Sequence, residues 1–128
     1  MARQLPAITI VRAYDVANRH LGLRVLVDRL WPRGIKKEQL ELDLWAKELA
    51  PSTQLRQWFG HRPERWMEFK RRYRAQLRSS AAAVEHLLTL AANRRVALLY
   101  GARDEEHNHA LVLRQYLERK RAAGRSRK

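Results

Sequence analysis

The sequence contains no cysteine. Disulfides, thiolate nucleophiles, zinc–thiolate sites and iron–sulfur clusters are excluded with it. Glycine and proline are scarce, at 5 and 4 residues, which excludes collagen-like and linker-like chains. The five glycines are isolated, so no Walker or Rossmann phosphate loop is present. There is no Gly-x-Ser-x-Gly, and the four serines fall at helix starts or near the C-terminus, so no serine nucleophile is expected. No apolar run approaches the roughly 18 residues of a membrane-spanning helix. The opening residues MARQLPAITI lack the apolar core of a signal peptide and read straight into a strand. The expectation is a cytoplasmic protein with no membrane partner. Acids are also few, at 13 against 27 Lys and Arg, which gives a net charge of +14.

What is present suffices for one domain: 128 residues, 45% hydrophobic. The positive charge is uneven. Six cations and no acid lie between Arg119 and Lys128, and residues 1–118 keep 21 cations against 13 acids, a net +8. The expected organisation is a single α/β domain over 1–118 and a basic, disordered tail over 119–128. A basic body attracts nucleic acid, anionic lipid or small anions, and charge alone does not choose among them. Most of the cations are Arg, which suits forked contact with carboxylate or phosphate.

Residues 7–12 (AITIVR) and 23–29 (LRVLVDR) read as strands, and the unbroken run Val25, Leu26, Val27 points to burial on both faces. Pro32 and Gly34 mark a turn. Lys36 to Glu41 reads as a short helix, while 43–51 fits a helical or an extended segment equally. Ser52 opens a helix that stops at Gly60, and Pro63 opens another. Trp66, Phe69, Tyr73 and Leu77 form its apolar stripe, with Arg65, Arg71, Arg72 and Arg78 on the other face. A further helix follows Ser79 or Ser80 and ends at Asn93. RVALLY (95–100) is the clearest buried strand, and the acids at 104–106 predict the start of a last helix there. The order predicts a single-domain layered α/β fold with a small, mainly parallel sheet flanked by helices.

In such sheets ligands collect outside the carboxyl ends of the strands. Two loops qualify, 28–34 and 101–107. The first offers Asp28, Arg29, Trp31 and Arg33: one acid, two forked donors and a ring that excludes water. Its plainer role is a turn cap beside solvated arginines. The second offers Arg103, Asp104 and His107. Asp104 and His107, three apart on one helix face, pair an acid with an imidazole as in general-base chemistry. The plainer reading makes Asp104 the helix cap. His107 and His109 point about 200° apart on a regular helix, so no shared metal is expected. The letters His107-Asn108-His109 do not make the nuclease motif they spell, whose residues are widely separated. His61 and Trp58 form a third cluster between two helices. No metal-ligand spacing appears, and no cofactor is expected.

Four segments taken together carry a resemblance: VLVDRLWPRG (25–34), ELAPS (48–52), WFGH (58–61) and YGARDEEHNHA (100–110). The chain resembles the YeaO-like branch of a bacterial family catalogued only as a domain of unknown function. The likeness runs from about Ile8 to Leu117 and implies a small cytoplasmic bacterial protein of α/β fold, with no established activity. The wider family often carries cysteines in the segment matching Tyr100–His109. Here those places hold Tyr100 and Asn108, so any thiol chemistry of the relatives does not transfer. The residues that match the branch are Asp28, Arg29, Trp31, Pro32, Arg33 and Gly34, then Trp58, Gly60 and His61, then Asp104, His107, Asn108 and His109, with Arg103 a looser match.

The first functional reading is a small-anion site for phosphate or carboxylate at the strand ends. Arg29, Arg33 and Arg103 would bind the anion, Asp28, Trp31 and Trp58 would line the pocket, and Asp104, His107 and His61 are the candidate catalytic residues. The sequence leaves open whether a reaction occurs. The second is a nucleic-acid partner, bound through the arginine face of 63–78 and the tail, although no recognised nucleic-acid motif is present. The third is a partner-binding module whose four tryptophans fill a core or an interface. Neither the oligomeric state nor the convergence of the two loops follows from the sequence.

Overall fold

The computed structural model describes residues 5–126. Four strands form one sheet: β1 (Ile8–Arg12), β2 (Leu23–Leu26), β3 (Leu44–Trp45) and β4 (Val96–Tyr100), in the order β1-β4-β2-β3. Every pairing is parallel, with Ile8 opposite Val96, Leu23 opposite Val96 and Val25 opposite Leu44. All four carboxyl ends therefore emerge along one edge of the sheet. The two central strands, β2 and β4, are the most apolar. Leu26 and Leu99 of one face and Val25 and Leu98 of the other are fully buried. Strands covered on both faces have no polar side to alternate with.

The two faces are covered unequally. On one, Val25, Val27, Val96, Leu98 and Tyr100 pack against helices α2 (Thr53–Phe59), α3 (Trp66–Arg78), α4 (Ala81–Ala91) and α5 (His109–Ser126). On the other, Leu26, Ala97 and Leu99 meet Val11, Ala13, Val16 and Leu40 of the short helix α1 (Lys37–Leu40), with Trp31, Ile35 and Trp45 around them. The helices form where their stripes dictate. Phe69, Tyr73 and Leu77 recur every four residues on α3, and all are buried. The Ser52 hydroxyl caps α2 by accepting from Leu55 N–H at 3.1 Å, and Gly60 closes it with φ 52°.

The ambiguous stretch 43–51 resolves as the two-residue strand β3 followed by a 3-10 turn at Lys47–Leu49. Two expectations are corrected. The last helix begins at His109 rather than at the acids, because the Asn108 side chain supplies the cap: its Oδ1 accepts from Leu111 N–H at 3.0 Å. That helix also continues through 119–126, where a disordered tail is expected. Its Lys, Arg and Ala are strong helix formers, and Arg121 Nη1 donates to the Pro6 carbonyl at 3.0 Å, tying it to the entrance of β1. Arg127 and Lys128 lie outside the described residues. Among the described residues no helix is long and apolar enough to cross a membrane.

Candidate functional site

The two strand-end loops converge. They line one cavity of about 340 Å³ together with residues of α2 and α3. The first loop leaves β2 at Asp28 and is fixed at several points. The Trp45 indole N–H donates to the Asp28 carbonyl at 2.7 Å, and Trp31 Nε1 donates to the Ile35 carbonyl at 2.6 Å. Gly34 turns the chain with φ 81°, and the Tyr14 hydroxyl donates to the Arg33 carbonyl at 2.8 Å. Arg29 donates through Nε to Pro51 O and through Nη2 to Ala50 O, each at 3.3 Å. These bonds bring the ELAPS segment into the cavity wall.

The second loop is built around Asp104. Its Oδ1 accepts from the N–H groups of Glu106 and His107 at 2.8 and 2.9 Å, and its Oδ2 lies 3.0 Å from His107 Nδ1. The Asp104–His107 contact expected from helical spacing therefore comes from a side-chain-capped turn that precedes the helix. The backbone N–H of Glu106 holds the Asp104 carboxyl below its usual range against the opposing cost of burial, and the His107 ring and N–H add to the lowering. Since His107 Nδ1 faces a carboxylate it carries the proton, which orients the ring and leaves Nε2 for another partner. The Asn108 amide donates to the Asp104 carbonyl at 2.9 Å. Buried Asn108 thus joins the turn to the helix cap.

A second Asp–His pair lies deeper. Asp28 Oδ2 accepts from Gly101 N–H at 2.9 Å, across the ends of β2 and β4. Its Oδ1 lies 3.0 Å from His109 Nε2. The same nitrogen lies 2.9 Å from the Val27 carbonyl, so two acceptors face it and Nε2 carries the proton. That single N–H is aligned with the Val27 carbonyl. Asp28 Oδ1 remains buried without a hydrogen bond among the described residues. Below it the Tyr73 ring meets His109 edge-on at 6.2 Å, and its hydroxyl donates to the Leu49 carbonyl. Burial raises the Tyr73 pKa, so that phenol stays a neutral donor.

Of the candidate residues, Asp28, Arg29, Trp31, Arg33, His61 and His107 line the cavity. Asp104 stands behind His107. Arg103 is exposed and outside the lining, because the turn at Asp104 does not carry it inward. Trp58 is outside too. It is a platform for the guanidinium groups of Arg65 and Arg72, at 5.0 and 4.3 Å from its ring centre. The sequence reading did not reach Arg56, Phe59 and Phe69, which also line the cavity, or the pairing of His109 with Asp28. Arg56 lies one helical turn before Phe59, and so the WFGH motif carried the signal for it.

The lining holds three arginines and three histidines against one carboxylate, Asp28. It contains no Ser, Thr, Cys, Lys or Tyr. Arg33 and Arg56 are exposed, and neither has a carboxylate within ion-pairing distance among the described residues. Among those residues no group of three or more His, Asp or Glu is placed to hold a metal. The arginine face of α3 is more committed. Glu68 pairs with Arg71 at 2.6 Å and with Arg72 at 2.8 Å, and these bonds bring its carboxyl down to about 2. Trp58 and Trp66 are both half-buried and packed against the core.

Comparison with known proteins gives one consistent answer. A family model described as the inactive DUF488-N3 subclade matches residues 7–127. The uncharacterized protein YeaO of Escherichia coli strain K12 is 44% identical over 106 residues, covering 83% of this chain and 92% of the relative. Uncharacterized proteins of Mycobacterium bovis and Mycobacterium tuberculosis are each 41% identical over 110 residues, covering 86% of this chain and 92% of theirs. No solved structure matches.

Proposed function

We infer that this chain, which belongs to the inactive DUF488-N3 subclade, holds a small anion, a phosphate or carboxylate, in the cavity at the carboxyl ends of its parallel strands. The observation that carries the reading is the charge of the lining: three arginines around a single carboxylate, Asp28, which accepts from Gly101 N–H and lies against the His109 ring. Arg29 is held in the wall by two carbonyls, whereas Arg33 and Arg56 have no carboxylate partner among the described residues and carry the main electrostatic attraction. His107, whose ring Asp104 orients, faces the same cavity beside them.

The reading is one of binding without turnover. The Asp104–His107 pair has the form of a general base, but the lining presents no hydroxyl, thiol or amine to serve as a protein nucleophile, so a covalent route through the chain has no group to run on. The word inactive in the subclade description agrees with that composition.

The test is thermal unfolding of the full chain at one fixed ionic strength, with phosphate, sulfate, acetate, phenyl phosphate and benzoate. A ligand at about 100 times its Kd adds about 2.7 kcal/mol, which a melting curve resolves. At least one anion is expected to raise Tm selectively. The double substitution Arg33→Ala/Arg56→Ala removes two exposed side chains, so the fold persists while the shift is lost. An equal response of both proteins to every anion overturns the reading.

A further inference from the structure

We propose that the anion bound in this cavity is an aryl anion: a carboxylate or phosphate attached to a planar aromatic body. This rests on the small-anion reading above and assigns the part of the ligand that the charges leave unspecified. The cavity, at about 340 Å³, falls in the ~300–1,000 Å³ range of sites that enclose whole organic ligands. A five-atom inorganic oxyanion leaves much of such a space to water. The lining also has two chemistries. Arg33 and Arg56 supply charge, while Phe59, Phe69, Trp31 and Pro32 supply apolar surface.

The apolar side is a chain of rings. Phe59 and Phe69 stack at 4.6 Å with 26° between their planes, and Phe59 lies 6.5 Å from the His61 ring. Trp66 lies 5.8 Å from Phe59, and the His107 ring stands edge-on to it at 5.4 Å and 86°. Such spacings let a further ring extend the cluster by offset or edge-to-face contact. An inorganic ion cannot use the apolar surface that Leu30 and Trp31 leave open at the cavity, whereas an aromatic body removes it from water. Guanidinium groups add to the fit, since they bond the anionic head and also stack on a ring. Leu30, 59% exposed and part of the lining, extends the apolar surface to the mouth.

The experiment is calorimetric titration of the full chain at one ionic strength with phenyl phosphate, inorganic phosphate, benzoate, cyclohexanecarboxylate and benzyl alcohol. Phenyl phosphate is expected to bind about tenfold more tightly than inorganic phosphate, equivalent to about 1.4 kcal/mol. Benzoate is expected to bind more tightly than cyclohexanecarboxylate. Phe59→Leu should reduce the phenyl advantage and leave the affinity for inorganic phosphate unchanged, which also reports that the variant is folded. Should that variant not fold, Leu30→Ala at its exposed position should weaken phenyl phosphate but not inorganic phosphate. Equal affinities for phenyl and inorganic phosphate, or for benzoate and cyclohexanecarboxylate, overturn this inference while the anion reading stands. Benzyl alcohol binding as tightly as phenyl phosphate, or no binding by any probe, overturns both.

Discussion

The molecule carries two Asp–His pairs about one cavity, and they differ in what surrounds them. Asp28 and His109 come from different elements, and their side chains are only 19% and 14% exposed. Asp104 and His107 are three residues apart in one turn, with exposures of 37% and 30%. The deep pair joins β2, β4 and the start of α5, because Asp28 binds Gly101 N–H and His109 binds the Val27 carbonyl. The shallow pair shapes only its own loop, through the N–H groups of Glu106 and His107. The same two residue types thus serve tertiary assembly in one place and the shape of a single loop in the other. Burial and chain separation decide which.

If that division holds, the deep pair should dominate stability. Asp28→Ala leaves Gly101 N–H without its acceptor at the junction of the two central strands. The contact is partly buried, and a donor left unsatisfied on burial costs about 1–3 kcal/mol. The expected fall in urea-unfolding free energy is therefore up to about 3 kcal/mol. A loss no larger than that of an average surface substitution would show that Asp28 does not hold the strand ends together.

A smaller effect tests the same contact from its other side. A Cβ added at Gly101 lies 3.0 Å from Asp28 Oδ2 and 3.8 Å from Pro32 Cβ. Gly101→Ala must therefore displace the carboxylate, at a cost of about 1–2 kcal/mol by analogy with overpacked cores. In the Asp28→Ala background the close neighbour is gone and the Pro32 contact is ordinary, so the second substitution is expected to cost almost nothing. The two losses are then non-additive by most of the Gly101→Ala value, measured as a double-mutant cycle in urea. Simple additivity would separate the glycine from the carboxylate.

Much of this arrangement was legible in the sequence, and the reasons differ by region. The run Val25, Leu26, Val27 and the apolar RVALLY segment identify the central strands, because a strand covered on both faces needs no polar residue. Parallel strands then put both loops at one edge, which nominated Asp28, Arg29, Trp31, Arg33, Arg103, Asp104 and His107, while His61 was nominated by its place between two helices. The two-residue strand β3 was ambiguous because it makes too few pairings to impose a period. The start of α5 was misplaced because acids at 104–106 imitate a first helical turn, while Asp104 spends its carboxylate on the turn before it. Arg56 and the ring chain escaped notice because they reach the cavity through the packing of α2 on α3. His109 escaped because its partner lies 81 positions away, as 109 less 28, and no local spacing encodes that.

The smallest effect belongs to the shallow pair, and pH isolates it. Hydrogen bonds from Glu106 N–H and from His107 hold the Asp104 carboxyl below its ordinary value of 3.8. A carboxyl whose folded pKa is depressed contributes stability that is fully present above the unfolded value and is lost as pH falls through the folded one. Asp104→Asn removes this ionisation while keeping the side chain's size. At neutral pH it should lower stability by no more than about 1 kcal/mol, the scale of a capping interaction at a solvated site. Below pH 3.8 that deficit should shrink and vanish, because the native carboxyl becomes protonated and neutral like the amide. Melting curves of the two proteins between pH 7 and pH 2 should therefore converge on the acid side. A gap that stays constant across this range would place the loss in the shape of the turn instead of in the charge of Asp104.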